Sequence, residues 1–147
     1  TRIRQAGFTI ALYRSVKVFH KRRVSMRKFW RQVHVFGMSR ITLQLLYPGS
    51  MKLVHWLPAL FVLGAIVLLA GSIFCPLMLI PLGAYLTALF IGAWVQMRRL
   101  SLALMAVATS MVQLFGYGTG FLRAYTWKIL LRHGRDEAQE VRMRRGK

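Results

Sequence analysis

His20, His34, His55 and His133 are the only imidazoles in this chain, Cys75 is its only thiol, and Asp136, Glu137 and Glu140 are its only carboxylates. Metal binding and general acid–base catalysis draw on these groups, because hard cations want oxygen ligands and a proton in transit wants a titratable side chain. All three acids fall in one polar tail, and no Asp or Glu precedes Asp136. His34 and His133 have no partner at ligand spacing, and His55 reads as an interface anchor rather than a ligand. Cys75 has no second cysteine to pair with and stands beside Pro76 at a turn. Such a chain is not equipped to catalyse alone. What it carries instead is positive charge. Eighteen of its twenty-two Lys and Arg residues lie before Asp136, among them the run Lys21-Arg22-Arg23 directly after His20. The chemistry on offer is the binding of anions.

The elements that must position these cations are written in the segregation of charge from apolar residues. Twelve basic residues lie between Arg2 and Lys52, none between Leu53 and Met97, and eight between Arg123 and Lys147. Arg98 and Arg99 stand alone between two uncharged runs. Apolar runs of roughly 20 residues are long enough to cross a bilayer as helices. The basic blocks then read as segments held against anionic headgroups. No zinc-ligand spacing or RNA-binding aromatic signature accompanies the charge, so nucleic acid is not the expected polyanion.

Thr1 to Ala6 resembles the last turn of a helix, with Gly7 supplying the left-handed residue that ends it. Phe8 to His20 alternates loosely and is rich in β-formers, which predicts one or two short strands. From Ser25, a potential cap, the period changes. Met26, Phe29, Trp30, Val33 and Phe36 follow at spacings of three and four, with Arg27, Lys28, Arg31 and His34 around the rest of the helix. This pattern predicts an amphipathic helix in the membrane interface, with Phe29, Trp30 and Arg31 at the boundary. The alternative is a soluble helix packing its stripe on a core. Tyr47-Pro48-Gly49-Ser50 makes an elbow into the bilayer.

The first span is expected at 53–72, with His55 and Trp56 at its entry and Pro58 harmless in its first turn. The second is expected at 76–97, forming a hairpin with the first. By the positive-inside rule the N-terminal block and Arg98-Arg99 are cytoplasmic. The third apolar segment, 100–122, has two readings. Counting makes it a span, yet that sends a basic tail across the membrane. Gly116-Tyr117-Gly118-Thr119-Gly120 is expected to break its helix, as in a re-entrant segment buried in protein. These glycines lack the Lys and the context of a phosphate loop, and close helix packing is their expected use.

An ordered set of motifs then resembles the C-terminal part of bacterial family-2 glycosyltransferases. It comprises Arg2-Ile3-Arg4-Gln5-Ala6-Gly7-Phe8, His20-Lys21-Arg22-Arg23-x-Ser25, Lys28-Phe29-x-Arg31-Gln32-Val33 and Gly37-x-x-Arg40-Ile41. It continues with Leu53-Val54-His55-Trp56-Leu57-Pro58-Ala59-Leu60 and Gln113-Leu114-Phe115-Gly116-Tyr117-Gly118-x-Gly120-Phe121. The resemblance implies a GT-A nucleotide-sugar-binding domain upstream, whose Asp-x-Asp motif and later acidic pair would precede Thr1. It implies that His20 contacts a divalent metal, Mg or Mn, since a neutral imidazole can complete an oxygen-rich shell. Lys21, Arg22 and Arg23 would neutralise a departing nucleoside diphosphate or, alternatively, bind lipid headgroups. Trp30 does not match the Gln-x-x-Arg-Trp motif of processive synthases and reads as a membrane anchor.

The expected fold is a mainly α membrane protein with a short α/β remnant. Residues 1–24 would end a GT-A catalytic domain, and 25–50 would form the amphipathic interfacial helix and elbow. Residues 51–122 would be the transmembrane region, and 123–147 a basic tail. The full-length enzyme would transfer a sugar from a nucleotide-sugar donor to a lipid-linked or cell-envelope glycan acceptor at the bacterial inner membrane. The rival expectation is a small non-enzymatic membrane protein that binds anionic lipid or a partner protein.

Overall fold

The computed structural model describes residues 6–9, 11, 13, 15, 17, 19 and 25–131. Four α-helices follow one another there: α1, Met26–Leu46; α2, Leu57–Gly71; α3, Ile80–Met97; and α4, Leu100–Tyr125. A 3-10 turn, Leu53–His55, leads into α2 and another, Pro76–Leu79, into α3. α4 continues into a π-helical turn, Thr126–Leu130.

No strand occurs among the described residues. The positions described between Phe8 and Phe19 are turn or irregular, with Phe8, Tyr13 and Phe19 exposed, so the expected α/β remnant is not seen in them. A β-forming stretch needs a neighbouring strand to take up its N–H and C=O groups, and none is described. Gly7 does adopt the left-handed conformation expected of it, with φ at 81°.

α1 begins after Ser25, whose carbonyl accepts the Phe29 N–H at 3.0 Å while its hydroxyl makes no capping bond. Its buried residues are Val33, Gly37 and Ile41, one per turn. The expected stripe is therefore divided: Val33 goes inward, while Trp30 and Phe36 stay substantially exposed. The cause lies on α4, where Gly116, Gly120 and Ala124 repeat at the same four-residue interval and are all buried. Small residues at i, i+4 and i+8 make a groove in which another helix backbone can lie. A Cβ on Gly37 would run into the Tyr117 carbonyl oxygen and lie 2.8 Å from the Phe121 nitrogen. A Cβ on Gly120 would run into the His34 carbonyl oxygen. The two helices advance in the same direction along this seam, from Val33 at Gly116 to Ile41 among Phe121 and Ala124.

α2 packs on the neighbouring face of α4 in the opposite sense, burying Ala59, Val62 and Ala65. Gly118 admits the Pro58 carbonyl and the Val62 side chain, and Phe61 meets Phe115 edge-on at 5.6 Å between ring centroids. At 15 residues α2 is about 22 Å long, short of the ~30 Å of a bilayer core. The 20-residue span expected at 53–72 is thus shortened, because the 3-10 turn takes its first residues.

Two helical stretches, Pro76–Met97 and Leu100–Leu130, are long and apolar enough to cross a membrane. No residue in the apolar window of the first is buried by the rest of the described chain, so that apolar surface is left uncovered. α4 runs unbroken through Gly116 to Gly120, and the expected break there is absent. Each glycine weakens a helix by up to about 1 kcal/mol relative to Ala, and the contacts along α1 and α2 offset this.

Only Arg98 and Arg99 join α3 to α4. Arg98 closes α3 in the left-handed region, with φ at 52° and its N–H on the Trp94 carbonyl at 2.8 Å. The other end of α4 meets the start of α2: Trp56 packs edge-on against Phe121 and Tyr125, with centroids 4.9 and 5.3 Å away. Leu100 lies 21 residues before Phe121, about 32 Å along the helix. The Arg pair is therefore at the far end of α4 from Trp56.

Candidate functional site

Where α1, the elbow and α4 come together, polar side chains collect at the edge of the apolar helices. The elbow is a tight turn, with Ser50 N–H bonded to the Tyr47 carbonyl at 3.2 Å and Gly49 at φ 84°. Pro48 followed by a left-handed glycine suits a type II turn. Gln44 of α1 secures it, its side-chain oxygen accepting from Met51 N at 2.9 Å and from the Ser50 hydroxyl at 3.3 Å.

One turn earlier on α1, Arg40 reaches the same elbow. Its Nη2 donates to the Ser50 carbonyl at 3.4 Å and to His55 Nε2. Accepting from arginine requires His55 to be neutral with its proton on Nδ1. Partial burial, followed by the charges of Arg40 and Lys52, holds the His55 imidazole below its ordinary value. The Arg40 Nε is buried and has no hydrogen-bond partner. The guanidinium and His55 line a cleft of about 350 Å³ together with Phe36, Ser39, Leu43 and Tyr117. No Asp or Glu occurs between residues 25 and 131, so no carboxylate among the described residues balances Arg40.

A second cavity, of about 470 Å³, lies further back along α1 and is lined by Lys28, Arg31, Gln32, Val35 and Phe36. Phe36 borders both, so one face of α1 carries two cationic stations separated by an aromatic ring.

Of the residues singled out in the sequence, His20, Lys21, Arg22 and Arg23 lie outside the described residues. Phe29 is half-buried, Trp30 lies beside Gly116 at the start of the seam, and Arg31 is exposed in the larger cavity. Trp56, expected as an interface anchor, is half-buried against Phe121 and Tyr125. His34, expected to be solvated or interfacial, has a partner: its Nδ1 lies 3.3 Å from the Thr119 hydroxyl. That hydroxyl in turn donates to the Phe115 carbonyl at 2.6 Å. Among the described residues no three His, Cys, Asp or Glu side chains come close enough to hold a metal ion. The divalent metal implied by the resemblance finds no ligand set among them.

The sequence did not single out Arg40 or Tyr117 as site residues. The available signal was an arginine three residues after a glycine that must contact another backbone, which fixes where the arginine points. No family model, curated protein or solved structure matches the chain.

Proposed function

We propose that this chain is the membrane-embedded module of a bacterial family-2 glycosyltransferase, anchoring and orienting a catalytic domain rather than performing the reaction. The observation that carries this reading is the convergence of the resembling motifs. Gly37 and Ile41, Trp56 and Ala59, and Tyr117 and Phe121 belong to three separated motifs, and they meet in one packed cluster. Separate sequence signatures that build a single interface behave as parts of one device. The lack of carboxylates between residues 25 and 131 fits a module that positions substrates without acid–base groups of its own.

In this reading α3 and α4 cross the inner membrane, and α1 lies at its boundary with Lys28 and Arg31 toward the headgroups. The complete enzyme would move a sugar from a nucleotide donor to a lipid-linked or glycan acceptor. His20 and the Lys21–Arg23 run would stand beside the departing diphosphate. The module's contribution is proximity, holding a soluble donor and a membrane-held acceptor at one face.

The test is to read the coding sequence immediately upstream of Thr1 and to assay sugar transfer by membranes bearing the full-length product. An in-frame Asp-x-Asp and a Glu-Asp pair ahead of Thr1, with donor-dependent transfer, support the proposal. A start codon and ribosome site directly before Thr1 would sink it in favour of a small, non-enzymatic lipid-binding protein.

A further inference from the structure

We infer that the cleft formed by Arg40, His55, Ser39 and Tyr117 is a binding site for the phosphate group of a membrane lipid. This rests on the membrane reading and not on the transferase reading.

Arg40 is a permanent cation, half-buried on α1. Of its five N–H donors, Nη2 spends its pair on Ser50 and His55, while Nε is buried without an acceptor. A guanidinium partly removed from water without an anion is costly, and the described residues supply none. The surroundings suit phosphate. Tyr117 and Ser39 line the cleft, the Ser39 hydroxyl donating to the Val35 carbonyl at 2.8 Å, and Lys52 adds a second positive charge near His55. Neutral His55 occupies one face of the guanidinium as an acceptor and leaves the charge itself unbalanced.

The walls specify that the phosphate is attached to a lipid. Phe36 and Leu43 line the cleft and are exposed. On either side of His55, Leu53 and Val54 of the 3-10 turn and Leu57 and Leu60 at the start of α2 are all exposed. A soluble anion would leave these residues facing water. A phospholipid or an isoprenoid phosphate would place its phosphate on Arg40 and its chain along α2. The Lys28–Arg31 station has cations but opens on a more polar surface, so it attracts headgroups generally.

The full chain, delipidated in a neutral detergent, is titrated with four probes: phosphatidylglycerol, an isoprenoid monophosphate, phosphatidylcholine and inorganic phosphate. Binding is followed by intrinsic tryptophan fluorescence, to which Trp56, next to His55, contributes. Saturable binding of either anionic lipid, with phosphatidylcholine and inorganic phosphate much weaker, is the expected result. Which of the two lipids binds more tightly identifies the source of the phosphate.

Arg40→Gln should weaken that binding about tenfold or more, because a charge-assisted contact is lost, and Arg40→Lys should restore part of it. Gln44→Ala loosens the elbow without touching the cleft and should stay within about threefold of the parent. The paired change Lys28→Gln with Arg31→Gln should do the same. Helix content measured on each variant separates unfolding from lost binding. Equal binding by Arg40→Gln, or by inorganic phosphate or phosphatidylcholine, overturns the site. Equal loss in Gln44→Ala reduces Arg40 to a loop tether and also overturns it. If the parent chain binds none of the four probes, the site is overturned; if it also fails to fractionate with membranes before extraction, the membrane reading fails with it.

Discussion

Gly37→Ala should destabilise the chain although alanine is the better helix former. At an unobstructed helical position, Gly→Ala stabilises by roughly 0.5–1 kcal/mol. Gly64 on α2 is such a position, with nothing within 4 Å of an added Cβ. At Gly37 the new Cβ meets the Tyr117 carbonyl oxygen, the Phe121 nitrogen at 2.8 Å and the Tyr117 carbonyl carbon at 3.1 Å. All three are backbone atoms of a helix, so no side chain can rotate away, and α1 must retreat by roughly 0.5–1 Å. A gap of that size forfeits about a quarter to a half of each dispersion contact along the seam, including those of Val33 and Ile41. Overpacking of this kind costs about 1–3 kcal/mol, leaving a net loss of about 1–2 kcal/mol after the gain in propensity. Denaturation of the purified chain in detergent, followed by fluorescence with Trp30 and Trp56 near the seam, measures the difference. If Gly37→Ala proves as stable as Gly64→Ala, the close approach of α1 to α4 is wrong.

Other consequences follow from single groups. His55 is held neutral in the folded chain, so below its ordinary value of 6.5 the unfolded chain takes up a proton that the folded chain resists. Stability should be complete above that range and fall as pH is lowered through it, and His55→Gln should flatten this dependence in pH-resolved denaturation. Arg98→Gly relieves a left-handed non-glycine residue and should stabilise by up to about 1 kcal/mol in the same assay. Thr119→Val removes the partner of His34 and should cost about 0.5 kcal/mol, the usual scale of such bonds between helices in membranes. A double-mutant cycle with His34→Phe checks it. In a Cys75→Ser background, single cysteines introduced at Ser50 and Leu131 should label from one side of a vesicle and one at Arg99 from the other. Labelling of Ser50 and Leu131 from opposite sides would contradict the packing of Trp56 against Tyr125, and labelling of all three from one side would contradict a crossing by α4.

Much of this architecture was legible in the residues. The separation of apolar runs from basic blocks predicts a helical membrane protein, and two helices of the required length and hydropathy are present. Close packing was the expected use of Gly116, Gly118 and Gly120, and it is how the structure uses them. The expected helix break at the same glycines was wrong because local propensity carries no knowledge of a partner. A glycine is a weak spot only until another backbone fills the space its missing side chain leaves. The division of the α1 stripe has the same origin. Periodicity predicted an apolar face from Met26 to Phe36, but the groove on α4 accepts small and β-branched residues at four-residue spacing, and so selects Val33, Gly37 and Ile41. The Arg40 cleft was the least legible. It is assembled from α1, the elbow and α4, and nothing local to Arg40 marks it as lacking an anion.

The packing also bears on a conflict that charge counting leaves open. If three successive spans ran 53–72, 76–97 and 100–122, the N-terminal block would lie on one side and the basic tail on the other, against the positive-inside tendency. The contact of Trp56 with Tyr125 puts the start of α2 and the end of α4 at one end of the bundle. With α2 too short to span, α4 is the helix that joins this end of the bundle to the Arg98–Arg99 link. In the proposed orientation Arg27, Lys28, Arg31, Arg40 and Lys52 would share one face with Arg123 and Lys128. Arg98 and Arg99 would then stand at the opposite end of α4, whereas charge alone puts them on the cytoplasmic side. Two cations in a tight turn, able to snorkel toward headgroups, are a smaller violation of the charge rule than a translocated tail carrying eight.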